Sequence, residues 1–129
     1  MKKLLFIPFL FACCIGMGQT AASLNVIGKP ITIGNLLVAQ YDFPKIMSWN
    51  AGIAACPKLG KGWRLPTKDE LNFLYLSKDK IGGFAGGHYW SSTELGGLNG
   101  FAWVQSFNSG SQYFDDKGYT YYVRAVRAF

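Results

Sequence analysis

Residues 62–77 read Gly62-Trp63-Arg64-Leu65-Pro66-Thr67-Lys68-Asp69-Glu70-Leu71-Asn72-Phe73-Leu74-Tyr75-Leu76-Ser77, and they mark the change from a helical half to a strand half of the chain. Thr67, with Glu70 three residues on, predicts a capping box, and Pro66 sits just outside it. Leu71, Leu74 and Tyr75 recur at helical spacing and predict the buried stripe of a helix that ends near Leu76 or Ser77. Gly82-Gly83 and Gly86-Gly87 prevent its continuation. Upstream, Ser48 predicts the N-cap of an earlier helix. Trp49, Ile53 and Cys56 share one face of it, Gly60 stands where a C-cap belongs, and Pro57 kinks or shortens the last turn. Before that, Lys29 to Ala39 predicts two strand-like pieces around Gly34-Asn35.

Downstream the apolar period falls to two. Tyr89 to Thr93 predicts a short strand, and Phe101 to Phe107 another, with Phe101, Trp103, Gln105 and Phe107 on one face. Asn108-Ser109-Gly110 predicts a hairpin turn, Ser111 to Phe114 the strand that pairs back, and Asp116-Lys117-Gly118 a second turn. Tyr119 to Ala128 predicts the final strand, rich in aromatic and β-branched residues. Two helices in the N-terminal half, packed on an antiparallel meander in the C-terminal half, make an α+β domain with no internal linker.

The 129-residue chain is 50% hydrophobic, 16% aromatic and only 16% charged, which bounds it to one modest domain and excludes disorder. Neither a collagen period, nor heptads, nor a solenoid repeat is present. Part of the apolar content belongs to a leader. Lys2 and Lys3 make a positive start, Leu4 to Ile15 an apolar stretch too short to span a bilayer, and Gly16-Met17-Gly18 the small residues before a cut. This predicts a signal peptide over residues 1–18 and a single domain over residues 19–129 of an exported protein. Leu10-Phe11-Ala12-Cys13 loosely resembles a lipobox and offers the alternative of a lipid anchor at Cys13. Without Lys2 and Lys3, 11 basic residues face 7 acidic ones, a net +4 against +6 for the whole chain. That charge suits acidic glycans or envelope polymers and is too diffuse to argue for nucleic acid. Cys13 and Cys14 leave with the leader, so Cys56 is alone and no internal disulfide is available. On a helix it reads as a small buried hydrophobe.

Gly62-Trp63-Arg64-Leu65-Pro66-Thr67, Glu70-Leu71, Ile81-Gly82-Gly83-Phe84, Tyr89-Trp90-Ser91-Ser92-Thr93-Glu94, Ala102-Trp103 and the terminal Tyr122-Val123-Arg124-Ala125-Val126-Arg127-Ala128-Phe129 resemble, in order, the motifs of the DUF1566 or Lcl C-terminal domain family, close to the Fibrobacter succinogenes major paralogous domains. The resemblance covers about Ile46 to Phe129. It implies a C-type-lectin-like fold in exported bacterial proteins, commonly adhesin or surface modules that bind ligands rather than catalyse. The resemblance also offers the alternative that the stretch between Gly96 and Tyr122 is a hypervariable display surface, as in some relatives. The Arg-Leu-Pro-Thr-x-x-Glu stretch also looks like the motif of formylglycine-generating enzymes, which share that broad fold. Those enzymes rely on a cysteine pair, which this chain lacks once the leader is gone.

The motif residues have a structural explanation. Trp63 offers a large face to a core, Thr67 and Glu70 cap a helix, and Trp90, Trp103, Arg124 and Arg127 belong to the strand half. An ion pair of Glu70 with Arg64, or with Arg124 or Arg127, ties that helix down. The single histidine, His88, edges a glycine-rich loop, where such residues are more often exposed or hydrogen-bonded than catalytic, so a Ser-His-acid triad is not expected. Zinc fails on ligand count, and the Glu-Pro-Asn, Gln-Pro-Asp and Trp-Asn-Asp triplets of calcium-dependent lectins are absent, so neither metal nor cofactor is expected. What remains is a mix of flat rings and short polar groups. Asn99, Gln105, Asn108, Ser111, Gln112, Tyr113, Asp115, Tyr119 and Tyr121 form the candidate surface for a glycan, polysaccharide or protein ligand. A structural envelope component that packs its aromatic face on a partner is the alternative.

Overall fold

A computed structural model describes residues 26–129. The leader over residues 1–18 and the lipobox-like Cys13 therefore lie outside the described residues. Strands β1 (Ile31–Ile33) and β2 (Leu36–Val38) form a hairpin across Gly34. Helix α1 (Trp49–Ala55) follows, with the Ser48 hydroxyl accepting from the Ala51 N–H. At Cys56 the helix tightens into a 3-10 turn, Cys56–Leu59, that carries Pro57 in its first turn and ends at Gly60, so Pro57 narrows the helix as expected. The expected apolar face is only partly used. Cys56 is buried, Trp49 half-buried and Ile53 exposed, and Gly52 is the position that α1 presses against Val123 and Leu65.

Helix α2 (Lys68–Leu76) starts on the predicted capping box. Thr67 accepts from the Glu70 N–H and the Glu70 carboxylate accepts from the Thr67 N–H. Leu71 and Leu74 are its buried stripe, each contributing about 1.5–3 kcal/mol by leaving water. A short helix, α3 (Lys78–Ile81), then leads into the glycine-rich loop. Strands β3 (His88–Leu95), β4 (Leu98–Ser106) and β5 (Gln112–Asp116) form an antiparallel sheet in sequence order. Asn108-Ser109-Gly110 turns β4 into β5. Gly110 has φ 84°, and a Cβ there would lie 2.6 Å from the Tyr75 ring, so both backbone and space require glycine.

The predicted final strand over Tyr119 to Ala128 is where expectation and structure part. Only β6 (Val126–Ala128) is a strand, paired with β2 in a second sheet of order β1-β2-β6. The preceding residues are extended but change partner at nearly every step. Tyr121 exchanges two backbone bonds with Met47, Tyr122 bonds to His88 and Trp90, Phe43 donates to Val123, Ala39 donates to Ala125, and Val126 exchanges two with Arg64. This terminal segment is thus a seam between the two sheets. Its alternation serves two cores, with Val123 and Ala125 packing with Trp63, Leu65, Trp90 and Val104, and Val126 with Leu71, Leu74, Tyr89 and Phe107.

Of the pairings open to Glu70, the structure uses Arg64. Its Nη1 and Nη2 reach the two carboxylate oxygens at 2.6 and 3.0 Å. Arg124 turns inward to another acid, and Arg127 covers Gly62 without an ion pair among the described residues. The Arg64 hydrogen bond is the largest cause holding the Glu70 carboxyl below its ordinary value. A depressed carboxylate stabilises the fold above the unfolded-state value of about 4.3 and loses that contribution as pH falls through the lower folded value. Glu70→Gln keeps the cap and removes the charge. The variant should be less stable than the parent by about 0.5–1 kcal/mol at pH 7, discounted for partial exposure. In urea titrations the two should converge as pH falls below about 4.

Candidate functional site

The nine candidate binding residues do not form one surface. Asn99 lies exposed near the β3–β4 turn, whereas Asn108 and Ser111 lie at the opposite end of β4, around the β4–β5 turn. Gln105 is fully buried and is not a surface residue at all. Its amide donates to Asn72 Oδ1 at 2.9 Å and to the Gly110 carbonyl at 3.1 Å, and its carbonyl oxygen accepts from Gln112. Gln112 also donates to the Lys68 carbonyl, so the two amides fasten α2 to the sheet. The period-two spacing that made Gln105 look available could not reveal that α2 covers this face.

Tyr113, Asp115, Tyr119 and Tyr121 do converge. The β4–β5 register sets Tyr113 opposite Val104 and Asp115 opposite Ala102, so both project on the face away from α2. The terminal segment brings Tyr121 to the same place through its two bonds to Met47. Tyr121 donates a very short hydrogen bond to Asp115 Oδ2 and meets the Trp90 ring edge at 5.1 Å. Tyr119, 57% exposed, stands against Tyr121 at 6.4 Å. His88 opens β3 and sits between the rings of Tyr113 at 5.5 Å and Tyr121 at 5.4 Å. It was missed because the loop beside it dominates its sequence context. Its two-residue spacing from Trp90 was the usable signal.

A buried ionic latch holds the terminal seam. Arg124 has a fully buried side chain, and its Nε donates to Asp42 Oδ1 at 2.7 Å. Its Nη1 donates to the Ala39 carbonyl at 3.2 Å, both terminal nitrogens reach the Gly82 carbonyl at 3.4 Å, and the guanidinium lies over Phe84. Tyr89 donates to Asp42 Oδ2 at 2.6 Å and accepts from the Ala85 N–H at 2.8 Å. Burial pushes the Asp42 carboxyl up, against the opposing pull of the Arg124 charge and the hydrogen bonds. Trp90 and Trp49 anchor the neighbouring wall by donating to the carbonyls of Met47 and Ser91.

Other features offer less chemistry. A depression of about 360 Å³ under the glycine-rich loop carries Lys78 and Asp79, which face each other at 3.9 Å. Trp103 lies beneath Lys68, whose ammonium is 3.5 Å from the ring centre. Burial pushes the Cys56 thiol up to about 12, which keeps it in the protonated, unreactive form. Among the described residues, no three His, Cys, Asp or Glu side chains gather to hold a metal, and no helix is long and apolar enough to cross a membrane.

The α+β architecture, two antiparallel sheets joined by the terminal seam, is C-type-lectin-like, as the similarity to solved structures shows. The chain belongs to the Lcl C-terminal domain family, which matches it over residues 29–127. Among solved structures, botrocetin is similar with a TM-score of 0.58 at 11% identity, covering 79% of this chain and 98% of that one. EMS16, an antagonist of the collagen receptor integrin α2β1, is similar with a TM-score of 0.57 at 11% identity, covering 78% and 97%. Botrocetin in complex with a von Willebrand factor A1 domain mutant gives 0.55 at 10% identity, covering 79% and 98%. No curated protein matches.

Burial is the largest cause that raises the Tyr121 phenol, and the Asp115 carboxylate raises it further. In Asp115→Asn the second cause disappears. Tyrosinate absorbance or ring-carbon NMR should show Tyr121 ionising at lower pH than in the parent, yet still above the ordinary value of about 10 because burial persists.

Proposed function

We propose that the protein is an exported, non-enzymatic binding or adhesion module that recognises a glycan or protein at the bacterial cell surface through the Tyr113, Asp115, Tyr119 and Tyr121 face. The convergence of three phenols and a carboxylate from β5 and the terminal segment carries this reading. Rings held by Trp90 and His88 supply contact area at little entropy cost, and their hydroxyls supply hydrogen bonds. Family membership and fold support a binding role. Botrocetin and EMS16 act on protein partners by their descriptions, which favours a protein ligand as much as a sugar. Export rests on the Lys2-Lys3 start and the Leu4 to Ile15 stretch.

A second reading, an envelope or assembly component, has its own observation. Phe114, 46% exposed, lies with Phe101 and Trp103 on the α2 side of the sheet, where Lys68 covers the Trp103 ring and Phe114 stays open to a partner chain.

A glycan and polysaccharide array, run with and without chelator and at two salt concentrations, tests the first reading. Joint replacement of Tyr113, Tyr119 and Tyr121 by alanine should lower array binding at least about tenfold with the fold retained by circular dichroism, since each ring edge or face is worth about 0.5–1.5 kcal/mol. Unchanged binding would remove this face. Altered oligomeric state on Phe114→Ala would instead move weight to assembly.

A further inference from the structure

Seven carboxylates lie in the chain, and four meet a cation: Asp42 with Arg124, Glu70 with Arg64, Asp79 with Lys78 and Glu94 with Lys117. Of the other three, Asp69 and Asp116 are exposed, whereas Asp115 is half-buried among rings. Its partners are two neutral donors, the Tyr121 hydroxyl and the Asp116 N–H at 2.9 Å, and it meets no cation among the described residues. A carboxylate partly removed from water and held by neutral donors keeps most of its charge available to an incoming ion. The rings around it are the complement that a cation prefers, since the faces of Tyr and Trp attract positive charge.

We propose that this cluster is an ammonium-binding subsite. Asp115 receives a charged N–H of the ligand, and the Tyr113, Tyr119 and Tyr121 rings contact its carbon substituents and spread its charge. Burial raises the affinity of Tyr113 and Tyr121 for their protons most, and the Asp115 carboxylate raises both further, as a charge without a cationic partner would. The Tyr121 hydrogen bond fixes the carboxylate in place before a ligand arrives, which lowers the entropy cost of binding. The inference rests on the proposed binding face and names the chemical group that face selects.

The probes are n-butylammonium chloride and the neutral n-butanol, titrated into the protein at pH 7 and followed by NMR of the tyrosine and His88 rings. Butylammonium should saturate at a concentration about tenfold lower than butanol, with shifts centred on Tyr113, Tyr119 and Tyr121. Asp115→Asn should bring the two probes within about twofold, whereas Asp69→Asn, at an exposed carboxylate away from the rings, should keep the preference. Equal saturation, shifts centred elsewhere, or a preference that survives Asp115→Asn would overturn the proposal. Where Asp115→Asn does not fold, the parent decides it: an ammonium preference of about tenfold with shifts centred on Tyr113, Tyr119 and Tyr121 supports the subsite, and equal saturation or shifts centred elsewhere refute it. Array binding lost in the tyrosine variant, without any ammonium preference in the parent, refutes the subsite alone. An ammonium preference with array binding untouched by that variant refutes the binding face for macromolecules alone.

Discussion

The Arg124 guanidinium, fully buried and shared among Asp42, Ala39 and Gly82, is the constraint on which the rest of the molecule depends. It joins four stretches distant in sequence: the turn after β2, the glycine-rich loop after α3, strand β3 through Tyr89, and the terminal seam. Such a pair contributes little net stability compared with an apolar substitute, but loss of one partner leaves an uncompensated buried charge at a cost of about 3–5 kcal/mol. Its physical effect is specification. With Arg124 fixed, the alternation of the seam is fixed, so Val123 and Ala125 turn to one core, Val126 turns to the other, and Tyr121 projects onto the open face.

That placement brings onto one face residues that no single strand could unite, the face proposed for binding. Tyr113 and Asp115 come from an edge strand, His88 and Trp90 from the far strand of the same sheet, and Tyr121 from the seam. The hydrogen bonds of Trp49 and Trp90 to backbone carbonyls, and of Gln105 and Gln112 to α2, hold the sheet from both sides. The proposed face is therefore held in place by packing and hydrogen bonds, which would suit recognition by rings of low conformational freedom.

Local chemistry made much of this legible in the sequence. The Thr67–Glu70 box, the Ser48 cap, the strand alternation and the Asn108-Ser109-Gly110 turn each follow from interactions within a few residues, and each is found where the sequence puts it. The Asp42–Arg124 pair was illegible because its partners are 82 residues apart, and charge pattern alone left Glu70 as the acid for either arginine. Gln105 was misread for a related reason: strand alternation assigns a face but not what covers it. The terminal run was too uniform in composition to show that its backbone changes partner at nearly every residue. Tyr113, Asp115 and Tyr121 stand out in the sequence as rings and a carboxylate near turns, but their meeting with His88 depends on strand register and on the seam.

The most direct test of the latch is amide hydrogen exchange at Trp90, Tyr121, Tyr122 and Val126 in the parent and in Asp42→Asn. Those amides donate into, or belong to, the seam. If the latch fixes the seam, they exchange in the parent only through global unfolding, and in Asp42→Asn they exchange by local opening while the amides of α2 stay at the global limit. Rapid local exchange in the parent, or an Asp42→Asn protein whose seam still opens only with the whole molecule, would contradict the account.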